Sequence, residues 1–277
     1  MIHLESSWLT HDGLRLYAQC WQPDAETLGV VTLVHGLGEH SSRYSHVGAS
    51  LTEAGYALYA FDLRGHGKSQ GPRGYAPQFQ DWMQDIECAL QQATRAFAGL
   101  PSFLYGHSLG GTLGLNYALR CHPSLNGMVV TAPGLRTALE GQAVKLGLVK
   151  LLGRLLPALT LPSGLDPRGL SRNSEVVAAY VNDPLVHDRL SLGTALGLMQ
   201  ALEYTFEHAG ELDLPVLLMQ GGADPLVFPQ GALEFAQRAQ GECTVELWDG
   251  LYHEIHNEPE RQEVLAKAVA WLDAHAR

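Results

Sequence analysis

The chain has 277 residues, 46% of them hydrophobic and 17% charged, and carries a formal net charge of −11. That apolar share is enough for one large buried core and excludes a disordered chain. The acidic balance, with no Lys/Arg-rich run, excludes a nucleic-acid surface.

Residues Met1 to Gly13 hold no basic segment followed by a continuous apolar stretch, so no secretory leader is expected and a cytoplasmic location is the default reading. Ser6 to Thr10 and Leu14 to Trp21 flank His11-Asp12-Gly13, and β-rich runs around an Asp-Gly pair predict an antiparallel hairpin. Compact apolar runs of strand length follow at Val30 to His35, Ala57 to Asp62, Ser102 to Gly106, Met128 to Ala132, Pro215 to Gly221 and Thr244 to Trp248. Helical spacing separates most of them, at Phe79 to Phe97, Thr112 to Arg120, Gly231 to Ala239 and Pro259 to His275. The alternation predicts an α/β fold, a mostly parallel sheet of eight strands with helices on both faces.

Residues 133–214 break that rhythm. They hold Leu-rich helical patterns punctuated by Gly and Pro and no clear strand, which predicts a helical cap inserted into a core built from 1–132 and 215–277. Within the cap, Ala143 to Leu161 is dense in Leu and carries Lys145, Lys150 and Arg154. Such a segment either packs on the core or presents an apolar face to lipid aggregates or a membrane surface. Lys150, Arg154 and Pro157 interrupt it short of the roughly 18 apolar residues a spanning helix needs, so no transmembrane segment is predicted. Cys20, Cys88, Cys121 and Cys243 are scattered, which predicts neither a metal site nor a disulfide framework.

Gly106-His107-Ser108-Leu109-Gly110 matches Gly-x-Ser-x-Gly, a pattern that is weak alone in a chain with 30 glycines. Here it follows a predicted strand and leads into a predicted helix, where a sharp turn lifts the serine hydroxyl out of the sheet. A serine hydroxyl is a poor nucleophile at neutral pH and needs a histidine base, itself oriented by a carboxylate. Asp224, in Gly221-Gly-Ala-Asp-Pro-Leu-Val227, lies at the carboxyl end of a predicted strand, where α/β sheets keep their sites. Asp249 and Asp183 compete with it from less suitable positions. Among thirteen histidines, His253 is selected by its place after the last strand, with His256 its nearest rival. Acyl transfer also needs two N–H donors for a tetrahedral oxyanion. Leu109, directly after the nucleophile, and Leu37, in the His35-Gly36-Leu37-Gly38 loop, are the expected sources. Gly67-Lys68-Ser69 imitates the end of a phosphate-binding loop but lacks its upstream glycine, and reads as a structural turn.

The segments His35-Gly-Leu-Gly-Glu-His-Ser-Ser-Arg-Tyr44, Asp62-Leu-Arg-Gly-His-Gly-Lys-Ser69, the nucleophile turn, Tyr180-Val-Asn-Asp-Pro-Leu185 and His253-Glu-Ile-His-Asn-Glu258 jointly resemble the monoacylglycerol lipase and lysophospholipase group of α/β-hydrolases, across nearly the whole chain. The resemblance implies the α/β-hydrolase fold, a helical lid, no cofactor, and hydrolysis of a small lipid ester through the triad already derived. Lysophospholipase or broad carboxylesterase activity is the alternative, and a non-catalytic lipid-binding role a more distant one. Leu109 and Leu37 depart from the residues common in relatives, which bears on pocket width. By the same resemblance Glu39, Arg43, Tyr180 and His256 match residues that line a polar pocket for the glycerol end of the substrate. The competing reading makes Glu39 and Arg43 a structural ion pair anchoring the loop.

Overall fold

The computed structural model describes residues 1–137 and 141–276, the side chains of residues 143–145 excepted; Lys145 of the basic cap segment therefore lies outside the described side chains. Strands β1 (Ile2–Leu9) and β2 (Arg15–Gln22) form the expected hairpin, with Leu9 opposite Arg15 beside the turn. The central strands are β3 (Gly29–Val34), β4 (Tyr56–Phe61), β5 (Ser102–His107), β6 (Gly127–Thr131), β9 (Val216–Gly221) and β10 (Cys243–Trp248). Together they make an eight-stranded sheet in the order β1-β2-β4-β3-β5-β6-β9-β10. Only β2 runs against the others. Parallel pairing sends the ends of β3, β5, β9 and β10 to one edge, where the loops carrying the candidate residues emerge.

The inner strands are apolar along almost their whole length, as a sheet buried on both faces demands. Alternation survives inside them as a division between two cores. Val30, Val34, Leu104 and Leu218 point to one layer, packed by Trp82 and Ile86 of α2 (Phe79–Ala96), Leu113 and Leu115 of α3 (Leu109–Cys121), and Phe235 of α7 (Gln230–Arg238). Val31, Leu33, Phe103 and Leu217 point to the other, packed by Val47 and Leu51 of α1 (Ser45–Glu53) and by Leu265, Trp271 and Leu272 of α8 (Arg261–His275). Helix α1 went unanticipated in the sequence: its nine residues include Gly48 and several Ser and Thr, and the apolar signal is the single i,i+4 pair Val47 and Leu51.

Between β6 and β9 the chain leaves the sheet and builds α4 (Ala143–Leu155), α5 (Ser174–Asn182) and α6 (Leu192–Glu207). The expectation that this interval holds no strand is corrected. Residues Thr160–Pro162 (β7) and Arg189–Ser191 (β8) pair antiparallel. Three-residue strands are too short to show a period of two, and one of these ends in proline, so periodicity did not reveal them.

The interval is tied down by backbone hydrogen bonds to core loops. The His187 N–H donates to the Gly38 carbonyl at 2.8 Å, and the Ser191 N–H donates to the Gly74 carbonyl at 2.8 Å. Gly38 has φ +76, and a Cβ there would lie 2.1 Å from the His187 carbonyl oxygen, so only glycine permits this approach. His40 pairs with Asp183 at 2.9 Å across the same junction. Lys68 and Ser69 are structural, as read from the sequence: the Lys68 N–H donates to Asp62 Oδ2 at 2.8 Å, and the Ser69 hydroxyl to the Asp62 carbonyl at 2.6 Å.

Candidate active site

Ser108 stands between β5 and α3 with φ 51 and ψ −113, a left-handed conformation unusual for a residue with a Cβ. The reversal needs close backbone approach on both sides. A Cβ on Gly110 would lie 2.0 Å from the Val34 carbonyl oxygen, and one on Gly106 would lie 2.7 Å from the Gly110 carbonyl oxygen. The two glycines of the motif are therefore demanded by packing, and the serine between them is raised above the sheet edge.

His253 follows β10 and Asp224 follows β9, and the structure brings both to Ser108. His253 Nε2 lies 2.9 Å from Ser108 Oγ, and His253 Nδ1 lies 2.8 Å from Asp224 Oδ2. The Nδ1 proton is donated to the carboxylate, which leaves Nε2 to accept from the hydroxyl. The arrangement is thus set to move a proton from Ser108 to His253. The competitors stand elsewhere: Asp183 pairs with His40, and Asp249 is exposed.

The loop after β3 is held from three directions. His35, fully buried, accepts at Nε2 from the Leu63 N–H at 2.9 Å and so donates from Nδ1 to the Gly36 carbonyl at 2.8 Å. The Gly36 N–H donates to Glu39 Oε1 at 2.6 Å, and the His187 N–H, from the interval between β6 and β9, donates to the Gly38 carbonyl. Leu37 lies within this braced turn and packs against the core. Leu109 is the first residue of α3, so no carbonyl one helical turn earlier engages its N–H.

Glu39 and Arg43 meet, together with Glu254, a residue the sequence reading passed over although it adjoins His253. The Arg43 guanidinium donates to both Glu254 oxygens at 2.7 Å and also to Glu39 Oε2. Glu39 Oε1 additionally accepts from the Tyr44 hydroxyl at 2.7 Å. The guanidinium lies over the ring of Tyr180, from α5, at 4.8 Å. Burial alone would raise the Glu39 pKa. The Arg43 charge outweighs it, with help from His107, His35 and the Tyr44 hydrogen bond, and holds the carboxyl at about 2.

His256 is fully buried, stacked on Tyr44 at 4.9 Å and edge-on to His107 at 4.7 Å. Neither of its ring nitrogens has a protein partner among the described residues. Burial, then the neighbouring His107, His46 and Arg43, drive its pKa well below the ordinary value, so the ring is neutral. His107 is likewise buried, its Nδ1 2.9 Å from Thr131 Oγ1, and burial followed by the His253 charge lowers it to about 4. Burial acts on His253 in the same downward sense. There the Asp224 charge and hydrogen bond, with Glu254 and Glu39 behind them, win and leave the pKa above its ordinary 6.5.

The family described as serine aminopeptidase, S33, matches residues 25–260. The chain is 38% identical over 96% of its length to an uncharacterized abhydrolase domain-containing protein of Dictyostelium discoideum, and spans 28% of that protein. It is 34% identical to a monoacylglycerol lipase of Mycolicibacterium smegmatis, over 98% of this chain and 97% of that one. The crystal structure of Paleococcus ferrophilus monoacylglycerol lipase superposes with a TM-score of 0.84 at 35% identity, over 99% of this chain and 100% of the other.

A base must be neutral to accept a proton, and a raised pKa means His253 protonates earlier as the pH falls. Ester hydrolysis is therefore expected to decline on acidification with a midpoint in kcat/KM above 6.5. A profile of rate against pH on an uncharged ester checks this, and a midpoint below 6 would contradict it.

Proposed function

The chain belongs to the serine aminopeptidase, S33, family of hydrolases, and from its similarity to monoacylglycerol lipases along nearly its whole length we propose that it cleaves the carboxylic ester of monoacylglycerols to fatty acid and glycerol. The observation that carries the chemistry is the hydrogen-bonded line from Ser108 through His253 to Asp224. Ser108 Oγ attacks the ester carbonyl while His253 Nε2 takes its proton. The oxyanion is received by the Leu37 and Leu109 N–H groups, each worth about 3 kcal/mol of barrier. His253 then returns the proton to the departing glycerol oxygen, leaving an acyl-Ser108. A water molecule, deprotonated by the same base, releases the fatty acid and restores the serine. Asp224 keeps Nδ1 protonated and stabilises the imidazolium through both halves. Ser108→Ala is expected to lower kcat by about 10⁴-fold or more; retention of more than a few per cent of turnover would reject the nucleophile.

The glycerol end needs donors and acceptors, because two hydroxyls leave water when the substrate binds. Glu39 and Arg43 already engage each other, Glu254 and the loop backbone, so they act in this reading as the charged frame of the subsite. His256, whose ring nitrogens have no described partner, and Tyr180 supply its remaining polar capacity. His256→Ala is expected to cost about 1–3 kcal/mol in kcat/KM for monoacylglycerol and much less for a p-nitrophenyl ester, which has no glycerol. Equal loss on both, or a higher rate on lysophospholipid in the same panel, would replace this substrate assignment.

The cap supplies a second contact. Leu148, Leu151 and Leu155 are 50%, 59% and 67% exposed on one face of α4, with Leu156, Leu159 and Leu161 exposed beyond it and Lys150 and Arg154 exposed alongside. A leucine face flanked by cations suits the surface of a lipid aggregate with anionic headgroups. Among the described residues no helix is long and apolar enough to cross a membrane, so the contact is peripheral. Leu151→Glu with Leu155→Glu should lower sedimentation with phosphatidylglycerol-containing vesicles while leaving hydrolysis of a short, dissolved ester unchanged. Undiminished vesicle binding would remove the cap from this role.

A further inference from the structure

The Asp224 carboxylate receives four donors. Oδ1 accepts from the Leu226 N–H at 2.8 Å and the Val227 N–H at 3.0 Å. Oδ2 accepts from His253 Nδ1 at 2.8 Å and from Gln220 Nε2 at 2.9 Å. Gln220 is 0% exposed, near the carboxyl end of β9, and its nitrogen also donates to the Val227 carbonyl at 3.3 Å. Both groups facing that nitrogen are acceptors, so the amide has one usable orientation; flipped, it would set three oxygens against one another.

That orientation leaves Gln220 Oε1 buried with no partner among the described residues. An unpaired buried carbonyl is costly, and an apolar side chain of similar shape would avoid the cost. The amide therefore has value for its N–H groups, and the place where they act is the oxygen that also binds the candidate base. A carboxylate turns easily about its terminal torsion, which has broad wells. One torsion places both oxygens, so the backbone donors on Oδ1 and the Gln220 N–H on Oδ2 fix it together, and loss of the latter leaves Oδ2 with the His253 donor alone.

We propose that Gln220 is a positioning residue for the triad: through Nε2 it holds Asp224 Oδ2 in line with the His253 Nδ1–H, and through the Val227 carbonyl it pins the turn that presents the carboxylate. The inference rests on the reading of Ser108, His253 and Asp224 as the reacting group. It adds a fourth member that acts through Asp224 and touches neither substrate nor the reacting atoms. The charged and titratable neighbours of His253 in this arrangement are Asp224, Glu254, Glu39, His107 and His256. Gln220 holds the first of these without adding charge of its own.

Two variants of the full chain separate positioning from mere packing. Gln220→Met keeps the length and burial of the side chain and removes both donors together with the orphaned carbonyl. Gln220→Glu keeps the shape and turns an oxygen toward Asp224. With active sites titrated by a fluorophosphonate probe and a p-nitrophenyl ester as substrate, Gln220→Met is expected to lose about 10- to 100-fold in kcat with KM within twofold, as misplacement of a catalytic group does. Gln220→Glu should lose at least as much and move the acidic limb of the kcat/KM profile to higher pH, since an added carboxylate favours the imidazolium. If Gln220→Met does not fold, Gln220→Asn, which withdraws the amide by one methylene, is expected to show the same loss in kcat. A folded variant with kcat within twofold of the parent and an unmoved acidic limb, whatever its Tm, overturns the proposal. Asp224→Asn run beside them distinguishes the two readings. Loss there with unchanged Gln220 variants refutes only the positioning role, whereas normal turnover of Asp224→Asn refutes the triad itself.

Discussion

The reversal of β5 into α3 within a single residue is the constraint on which the rest of the site depends. Ser108 is held at φ 51, a conformation costing about 1–3 kcal/mol for a residue with a Cβ. It persists because both flanks are fixed. β5 lies in mid-sheet between β3 and β6, and α3 packs its apolar face into the larger core. The helix then comes so close to β3 that Gly110 has no room for a side chain beside the Val34 carbonyl. Once the hydroxyl is raised at that edge, the parallel strands bring the other groups to it, because the loops after β3, β9 and β10 leave the sheet on the same side.

Electrostatics joins those loops. Arg43 links Glu39, which braces the turn carrying Leu37, to Glu254, which adjoins His253. Two carboxylates against one guanidinium leave the buried group with an excess negative charge, and both carboxylates favour the protonated form of His253. Breaking such a buried set by removing one partner strands a charge away from water, typically at about 3–5 kcal/mol. The interval between β6 and β9 takes part in the same construction. Tyr180 covers the guanidinium, the His187 N–H holds the Gly38 carbonyl, and the Gly169 and Leu170 carbonyls accept from the backbone of His253 and Glu254. The segment between β6 and β9 is therefore a structural part of both the turn after β3 and the loop after β10, while its helix α4 shows leucines to solvent.

Much of this was legible in the chain, and for identifiable reasons. The inner strands announced themselves because a sheet covered on both faces needs uninterrupted apolar runs, and the structure differs from their predicted bounds by no more than one residue at an end. The Gly-x-Ser-x-Gly spacing carries its own steric explanation. The order Ser, Asp, His along the chain follows from which strands carry the loops. Helix α1 and the pair β7 and β8 escaped because short or glycine-interrupted elements owe their form to neighbours rather than to their own period.

Residue type and spacing sufficed to select Ser108, Asp224 and His253 as candidates, since those chemistries at the carboxyl ends of parallel strands have few other uses. They did not determine what surrounds each one. Thirteen histidines share one side-chain chemistry, and His35, His66, His107 and His256 are all buried with their pKa values pushed down. Buried His40 and His253 each have a carboxylate on the ring, but only His253 also reaches the Ser108 hydroxyl among the described residues, and its contact with Asp224 spans 29 residues of chain. Glu254 and Gln220 carried no signal in the sequence, because a glutamate beside a histidine and a glutamine at a strand end are unremarkable until folding sets them against Arg43 and Asp224. Local sequence determines which groups stand at the sheet edge; only the tertiary structure decides which buried charge or donor faces them, because those partners come from distant segments brought together by packing.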